Sequence, residues 1–136
     1  MIKEKMTDKD SSSQTLNQKI LIVDDDLSAL EIYKDFLMEY NYKVDVAHNG
    51  FEAGVKLMEF KPDLLILDLI MPELDGFEVC QMIKTTATTE HIKIIVMTGY
   101  DSDKTRDTLN QLGADLFLVK PVEPDILVNH IKKILG

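Results

Sequence analysis

The chain carries one cysteine, Cys80, so no internal disulfide forms, and its apolar neighbours Val79, Met82 and Ile83 mark a packed helix position in a reducing, cytoplasmic setting. No apolar run reaches the roughly 18 to 20 residues of a membrane span. The N-terminus lacks the apolar stretch of a signal peptide, so a soluble, unexported protein is expected. Basic residues are scarce: 15 Lys and Arg stand against 24 Asp and Glu, a net charge of −9. A surface that acidic repels phosphate backbones and anionic lipid, which argues against direct nucleic-acid or membrane binding. Metal-ligand spacing among histidines is also missing, because His48, His91 and His130 fall in separate segments and read as surface or packing residues.

What is present is enough for one domain. The length is 136 residues, and 45% hydrophobic against 29% charged residues provides a core without staples. Residues 1–18 hold three acids, three bases, the run Ser11-Ser12-Ser13 and no apolar periodicity, so they read as a flexible tail. The whole negative excess therefore falls on residues 19–136, the expected folded domain.

From Lys19 onward, short apolar runs alternate with longer amphipathic segments, the pattern of βα units around a parallel sheet buried on both faces. Five strands are expected, at Ile20 to Val23, Lys43 to Ala47, Leu64 to Leu67, Lys93 to Met97 and Leu116 to Val119. Leu30, Tyr33, Leu37 and Tyr40 form the core stripe of the first helix. The second helix starts near Asn49-Gly50 with Phe51, Val55 and Met58 as its expected buried face, and Pro62 blocks its continuation. Phe77, Cys80 and Ile83 mark the third helix. The fourth, about Ser102 to Leu112, is polar apart from Leu109 and Leu112 and stops at Gly113. The fifth opens at Pro124-Asp125, buries Leu127, Ile131 and Ile134, and closes on Lys132-Lys133, so both ends suit the helix dipole.

In an open parallel sheet, ligands bind beyond the carboxyl ends of the strands, so the residues just after each apolar run matter most. These are Asp24-Asp25-Asp26 after the first run, Asp68 after the third, Thr98 after the fourth and Lys120 after the fifth. Each alone has an ordinary explanation. Asp26 reads as a helix cap, Pro72 and Asp75-Gly76 suit a plain turn, and an isolated lysine is usually solvated. Their weight comes from convergence on one edge.

The sequence resembles the receiver domain of two-component response regulators. The resemblance rests on Ile-Leu-Ile-Val-Asp-Asp-Asp at 20–26 and Asp-Leu-Leu-Ile-Leu-Asp-Leu-Ile-Met-Pro-Glu-Leu-Asp-Gly at 63–76. It continues with Ile-Ile-Val-Met-Thr-Gly at 94–99 and Gly-Ala-Asp-Leu-Phe-Leu-Val-Lys-Pro at 113–121. It implies an α/β, flavodoxin-like (βα)5 three-layer sandwich with strand order 2-1-3-4-5. It also implies that Asp68 is the phosphoacceptor, taking its phosphoryl group from a histidine kinase or histidine phosphotransfer protein. Carboxylates at Asp24, Asp25 and Asp68 would repel one another by about 4 kcal/mol per pair at ~4 Å and an effective dielectric near 20, so a divalent cation is needed. Hard oxygen ligands describe a Mg²⁺ site, with Mn²⁺ as a substitute. Asp25, Asp68 and the backbone carbonyl of Ile70 are the expected direct ligands, with Asp24 acting through water. Lys120 and Thr98 are expected to stabilise the phosphoryl oxygens, and the family places a cis peptide at Lys120-Pro121.

Three positions set expectations of their own. Many receivers have Tyr where this chain has Phe117, so a switch coupling Thr98 to Phe117 would work with a ring that has no hydroxyl. The positions two residues beyond the acceptor and beyond the threonine are Ile70 and Tyr100, neither with an acid or amide to orient water, so slow self-dephosphorylation is expected. A haloacid dehalogenase type phosphohydrolase would need an acid at position 70, and a flavin site would need a loop rich in N–H groups after the first strand. A degenerate receiver serving only as a protein-interaction module is opposed by the intact set Asp24, Asp25, Asp68, Thr98 and Lys120. The expectation is a switch that catalyses its own phosphotransfer without being a conventional enzyme. It would either stand alone without an attached effector domain and act by binding a downstream protein, or be an excised piece of a longer regulator, and it would exist as a monomer or a phosphorylation-dependent dimer.

Overall fold

The structure is a computed structural model and describes residues 18–136. The expected tail lies outside the described residues except for Gln18, whose carbonyl accepts the Lys43 N–H at 2.9 Å. The order of elements is β1 (Lys19–Val23), α1 (Leu27–Met38), β2 (Lys43–Ala47), α2 (Gly50–Glu59), β3 (Leu64–Leu67), β4 (Ile70–Met71), β5 (Leu74–Asp75), α3 (Gly76–Thr85), β6 (Lys93–Thr98), α4 (Asp103–Gln111), β7 (Leu116–Val119) and α5 (Pro124–Leu135). The main sheet is parallel throughout, in the order β2-β1-β3-β6-β7. Counting only its five strands, this is the flavodoxin-like order 2-1-3-4-5.

The apolar runs explain the layers. Successive side chains of a strand point to opposite faces, so a strand covered on both sides must be apolar throughout. Ile20, Ile22, Leu64, Ile66, Ile95 and Met97 face one core, which α1 and α5 close with Leu30, Leu37, Leu127, Val128 and Ile131. Leu21, Val23, Leu65, Leu67, Ile94 and Val96 face the other, closed by Ala53 of α2, Cys80 and Ile83 of α3 and Leu109 of α4. Helix starts are fixed by side chains that accept otherwise unpaired N–H groups: Asp26 for α1, Asn49 for α2, Asp75 for α3 and Ser102 for α4. Helix α5 has no such cap and begins with Pro124 instead. Among the described residues no helix is long and apolar enough to cross a membrane.

One expected face is wrong. Phe51 and Met58 of α2 are 82% and 77% exposed, while Ala53 is buried and Leu57 and Phe60 pack on the core. Both stripes repeat at spacings of four and three, so periodicity alone does not choose between them. The N-terminus of the helix does. Gly50 sits against Leu74, and a Cβ there would lie 3.1 Å from Leu74 Cδ1. That contact turns the line Gly50, Ala53, Leu57, Phe60 inward. A second difference is the hairpin β4-β5 between β3 and α3, which pairs Ile70 with Asp75 and Met71 with Leu74 around Pro72 and Glu73. Strands of two residues are too short for any periodicity to announce them.

Candidate functional site

Parallel strands end on a common edge, and the ladder carries the key residues one step past the strands. The Asp68 N–H donates to Val23 O at 3.0 Å, Asp24 N–H to Ala47 O at 3.1 Å and Lys120 N–H to Thr98 O at 2.8 Å. Backbone bonds therefore hold Asp24, Asp68 and Lys120 in register. Thr98 is the last residue of β6 rather than the first after it, opposite Val119 of β7, and it is buried.

Three carboxylates meet at this edge: one oxygen each of Asp24, Asp25 and Asp68 lies within 4.8 Å of the others. Asp24 is only 3% exposed and Asp68 9%, whereas Asp25 faces solvent. Asp24 Oδ1 accepts the Asp26 N–H at 3.0 Å, and Asp68 Oδ1 accepts the Ile70 N–H at 3.3 Å. Lys120 Nζ lies between the two buried acids, 2.7 Å from Asp24 Oδ2 and 3.2 Å from Asp68 Oδ2. The Lys120-Pro121 peptide is cis, as the resemblance implied.

The electrostatics follow from this crowding. Burial raises the pKa of the Asp68 carboxyl above its ordinary value; the Lys120 charge opposes that, and the neighbouring Asp24 adds to it. Burial works against the Lys120 ammonium, yet the hydrogen bond and charge of Asp24, joined by Asp68, outweigh it and raise its pKa above that of a free lysine. With all four groups charged, three acids against one base leave two negative charges in a small volume. Hard oxygen donors with that surplus could hold a hard divalent cation. Among the described residues this is the one cluster of His, Cys, Asp and Glu arranged to hold a metal ion.

The remaining expected residues surround it. Ile70 and Tyr100 are exposed on the rim, Ile70 tied to Asp68 through its N–H and Tyr100 to Thr98, whose Oγ1 accepts the Tyr100 N–H at 3.3 Å. Phe117 stands on β7 opposite Val96, two residues before Thr98 on the neighbouring strand, and is half-buried. A cleft of about 620 Å³ opens on the other side of Asp25, lined by His48, Phe51, Pro72 and Glu73. Sequence reasoning missed Arg106, whose guanidinium lies 4.6 Å above the centre of the Phe117 ring. The available signal was weak: one arginine on a polar helix, five residues after Asp101, to which its Nε donates at 2.7 Å.

Comparison with known proteins agrees with this fold. Residues 20–132 match the family model described as response regulator receiver domain. The transcriptional regulatory protein ResD of Bacillus subtilis is 38% identical over 122 residues, which make up 90% of this chain and 50% of that protein. The response regulator MprA of Mycobacterium ulcerans is 36% identical over 120 residues, 88% of this chain and 51% of that one. The chain thus spans about half the length of the curated relatives it matches. Among solved structures, the signal receiver domain of a DNA binding response regulator from Colwellia psychrerythraea 34H superposes with a TM-score of 0.83 at 36% identity, covering 88% of this chain and 98% of that one.

Proposed function

From the premise that this chain belongs to the response regulator receiver family, we propose that it is a phosphoacceptor switch in two-component signalling. In this reading Asp68 takes a phosphoryl group from a histidine kinase or histidine phosphotransfer protein. The observation that carries it is the bridge of Lys120 between Asp24 and Asp68, with Asp25 alongside, at the carboxyl edge of the sheet.

Asp68 is the nucleophile. One carboxylate oxygen attacks phosphorus, the bond from phosphorus to the donor imidazole nitrogen breaks, and the imidazole leaves with the bonding pair and takes a proton from water. Lys120 supplies the fixed positive charge beside the incoming phosphoryl oxygens, and the Thr98 hydroxyl supplies a donor. Asp25, Asp68 and the Ile70 carbonyl would hold Mg²⁺ directly and Asp24 through water, with Mn²⁺ able to substitute. When bound, the ion offsets carboxylate and phosphoryl charge together. The hydroxyl-free side chain of Ile70 and the ring of Tyr100 screen the product from water, so the acyl phosphate decays slowly. Ile70→Asn or Tyr100→Glu would shorten its lifetime.

Phosphorylation changes the surface around α4, β7 and α5 and so the affinity for a downstream protein. The net charge of −9 disfavours direct nucleic-acid binding by this domain, and the transcriptional role in the name of ResD is that protein's, of which this chain covers 50%. The test is incubation with Mg²⁺ and acetyl phosphate or phosphoramidate, followed by intact mass. Gain of one phosphoryl group by the wild type and none by Asp68→Asn is the expected result. No gain by the wild type would reduce the chain to a protein-interaction module, and multiple turnover of an unrelated phosphoester would make it a hydrolase.

A further inference from the structure

Phe117 has no hydroxyl with which a hydrogen bond could hold its ring, yet the ring is not left to packing alone. It is half-buried, and a hollow of about 280 Å³ lined by Arg106, Leu109, Ala114 and Phe117 lies beside it. Over that side stands the Arg106 guanidinium, 4.6 Å from the ring centre. A cation over an aromatic face is attracted by the ring quadrupole, and a planar guanidinium also stacks. Arg106 is itself held from the other end, because its Nε donates to Asp101 Oδ1 at 2.7 Å. Asp101 adjoins Tyr100, whose N–H donates to Thr98 Oγ1 at 3.3 Å. An unbroken line of contacts therefore runs from the threonine at the site, through Tyr100 and Asp101 of the loop before α4, to Arg106 and the Phe117 ring.

We propose that Arg106 is a positioning residue that holds Phe117 in its present orientation in place of the missing hydroxyl, and that Asp101 ties this hold to Thr98. The inference rests on the phosphoacceptor reading above. In the described arrangement the Thr98 hydroxyl accepts from its own loop. A Thr98 that moves to donate to a phosphoryl oxygen drags Tyr100 and Asp101 with it or lets them go, and either event shifts the carboxylate that anchors Arg106. The ring then loses its cation and is free to turn inward. Arg106 touches neither the acceptor nor its ligands, so it biases the transition without taking part in the chemistry.

Coupling of this kind is reciprocal: if the stacked pair favours one arrangement of Thr98, breaking it favours the other by the same factor. An exposed cation over an aromatic ring is worth enough for about a two- to fivefold change in affinity. The test is titration with beryllofluoride and Mg²⁺, a phosphoryl mimic, on the full chain, read by calorimetry and by the NMR signals of the Phe117 ring. Arg106→Gln should bind beryllofluoride about two- to fivefold more tightly than the wild type, with the ring signals shifted before titration toward their bound positions. Arg106→Lys should recover part of the wild-type behaviour, and Asp101→Ala should move in the direction of Arg106→Gln. On a Phe117→Leu background, Arg106→Gln should have no further effect, since the partner of the cation is gone. Equal affinity of Arg106→Gln and wild type, or an undiminished effect on the Phe117→Leu background, overturns the proposal. Failure of the wild type to bind beryllofluoride at all would instead overturn the phosphoacceptor reading, with Asp68→Asn as the non-binding control.

Discussion

Replacing Lys120 with Gln removes the one ammonium group between two buried acids, and its cost is set by distances in the structure. Contacts of 2.7 Å to Asp24 and 3.2 Å to Asp68 each contribute an attraction of about 5 to 6 kcal/mol at an effective dielectric near 20. The acids lie within 4.8 Å of each other, and their repulsion of roughly 3 kcal/mol then stands unopposed. The observed loss will be smaller than these terms together, because a carboxylate left alone binds a proton or water; breaking a buried pair typically costs about 3–5 kcal/mol. The Lys120 side chain is 27% exposed, which places the expected loss at the lower end, about 3 kcal/mol. Urea unfolding followed by circular dichroism, with wild type and Lys120→Gln compared at neutral pH in EDTA, measures it. The deficit should shrink in millimolar Mg²⁺, since a bound dication offsets the same carboxylates, and should shrink in acid as Asp68 takes up its proton. Because the Lys120 pKa is raised, its contribution is fully present below the ordinary lysine value of 10.5 and is lost only as pH rises through the higher folded value. A deficit below about 0.5 kcal/mol in EDTA, or one unchanged by Mg²⁺, would refute the argument.

Four further outcomes follow from the same geometry. The raised pKa of Asp68 means that the fold prefers its protonated form, so metal-free stability falls as pH rises from the ordinary aspartate value through the folded one; Asp68→Asn should lack that fall and be more stable than wild type at neutral pH in EDTA, and a less stable variant would contradict this. Gly76→Ala would place a Cβ 2.8 Å from Leu69 O and 2.9 Å from Leu69 Cα, both backbone, and should cost on the order of 1–3 kcal/mol in thermal unfolding. The buried Tyr42 hydroxyl has no hydrogen-bond partner and burial pushes its pKa up to about 12, so Tyr42→Phe should gain about 1 kcal/mol and flatten the loss of stability between pH 10 and 12. Burial pushes the Cys80 thiol up to about 11, and a thiol reagent should label it only after denaturant is added.

The sequence was informative where a physical constraint acts locally. Strands buried on both faces must be apolar, so the runs at Ile20, Leu64, Lys93 and Leu116 announced the sheet, and Lys93–Thr98 differs from expectation by one residue. Acids, a hydroxyl and a lysine at strand ends named the groups that share the carboxyl edge, because parallel strands leave them no other place to meet. What periodicity did not carry was rotation and distant contact. Helix α2 has two apolar stripes of equal spacing, and a single close approach at Gly50 selected between them. The stacking of Arg106 on Phe117 joins a polar helix to an edge strand, and nothing in either segment alone announces the other.

The central position of β3 has a mechanical consequence. This strand is hydrogen-bonded on both flanks, its four residues are each at most 1% exposed, and Asp68 follows directly from it. Close-packed interiors yield little, so a charge added at Asp68 would find no give beneath it. The centre of the body acts as a fixed bench, and any mechanical message leaves sideways, through the soft connections above the outer rows of the sheet.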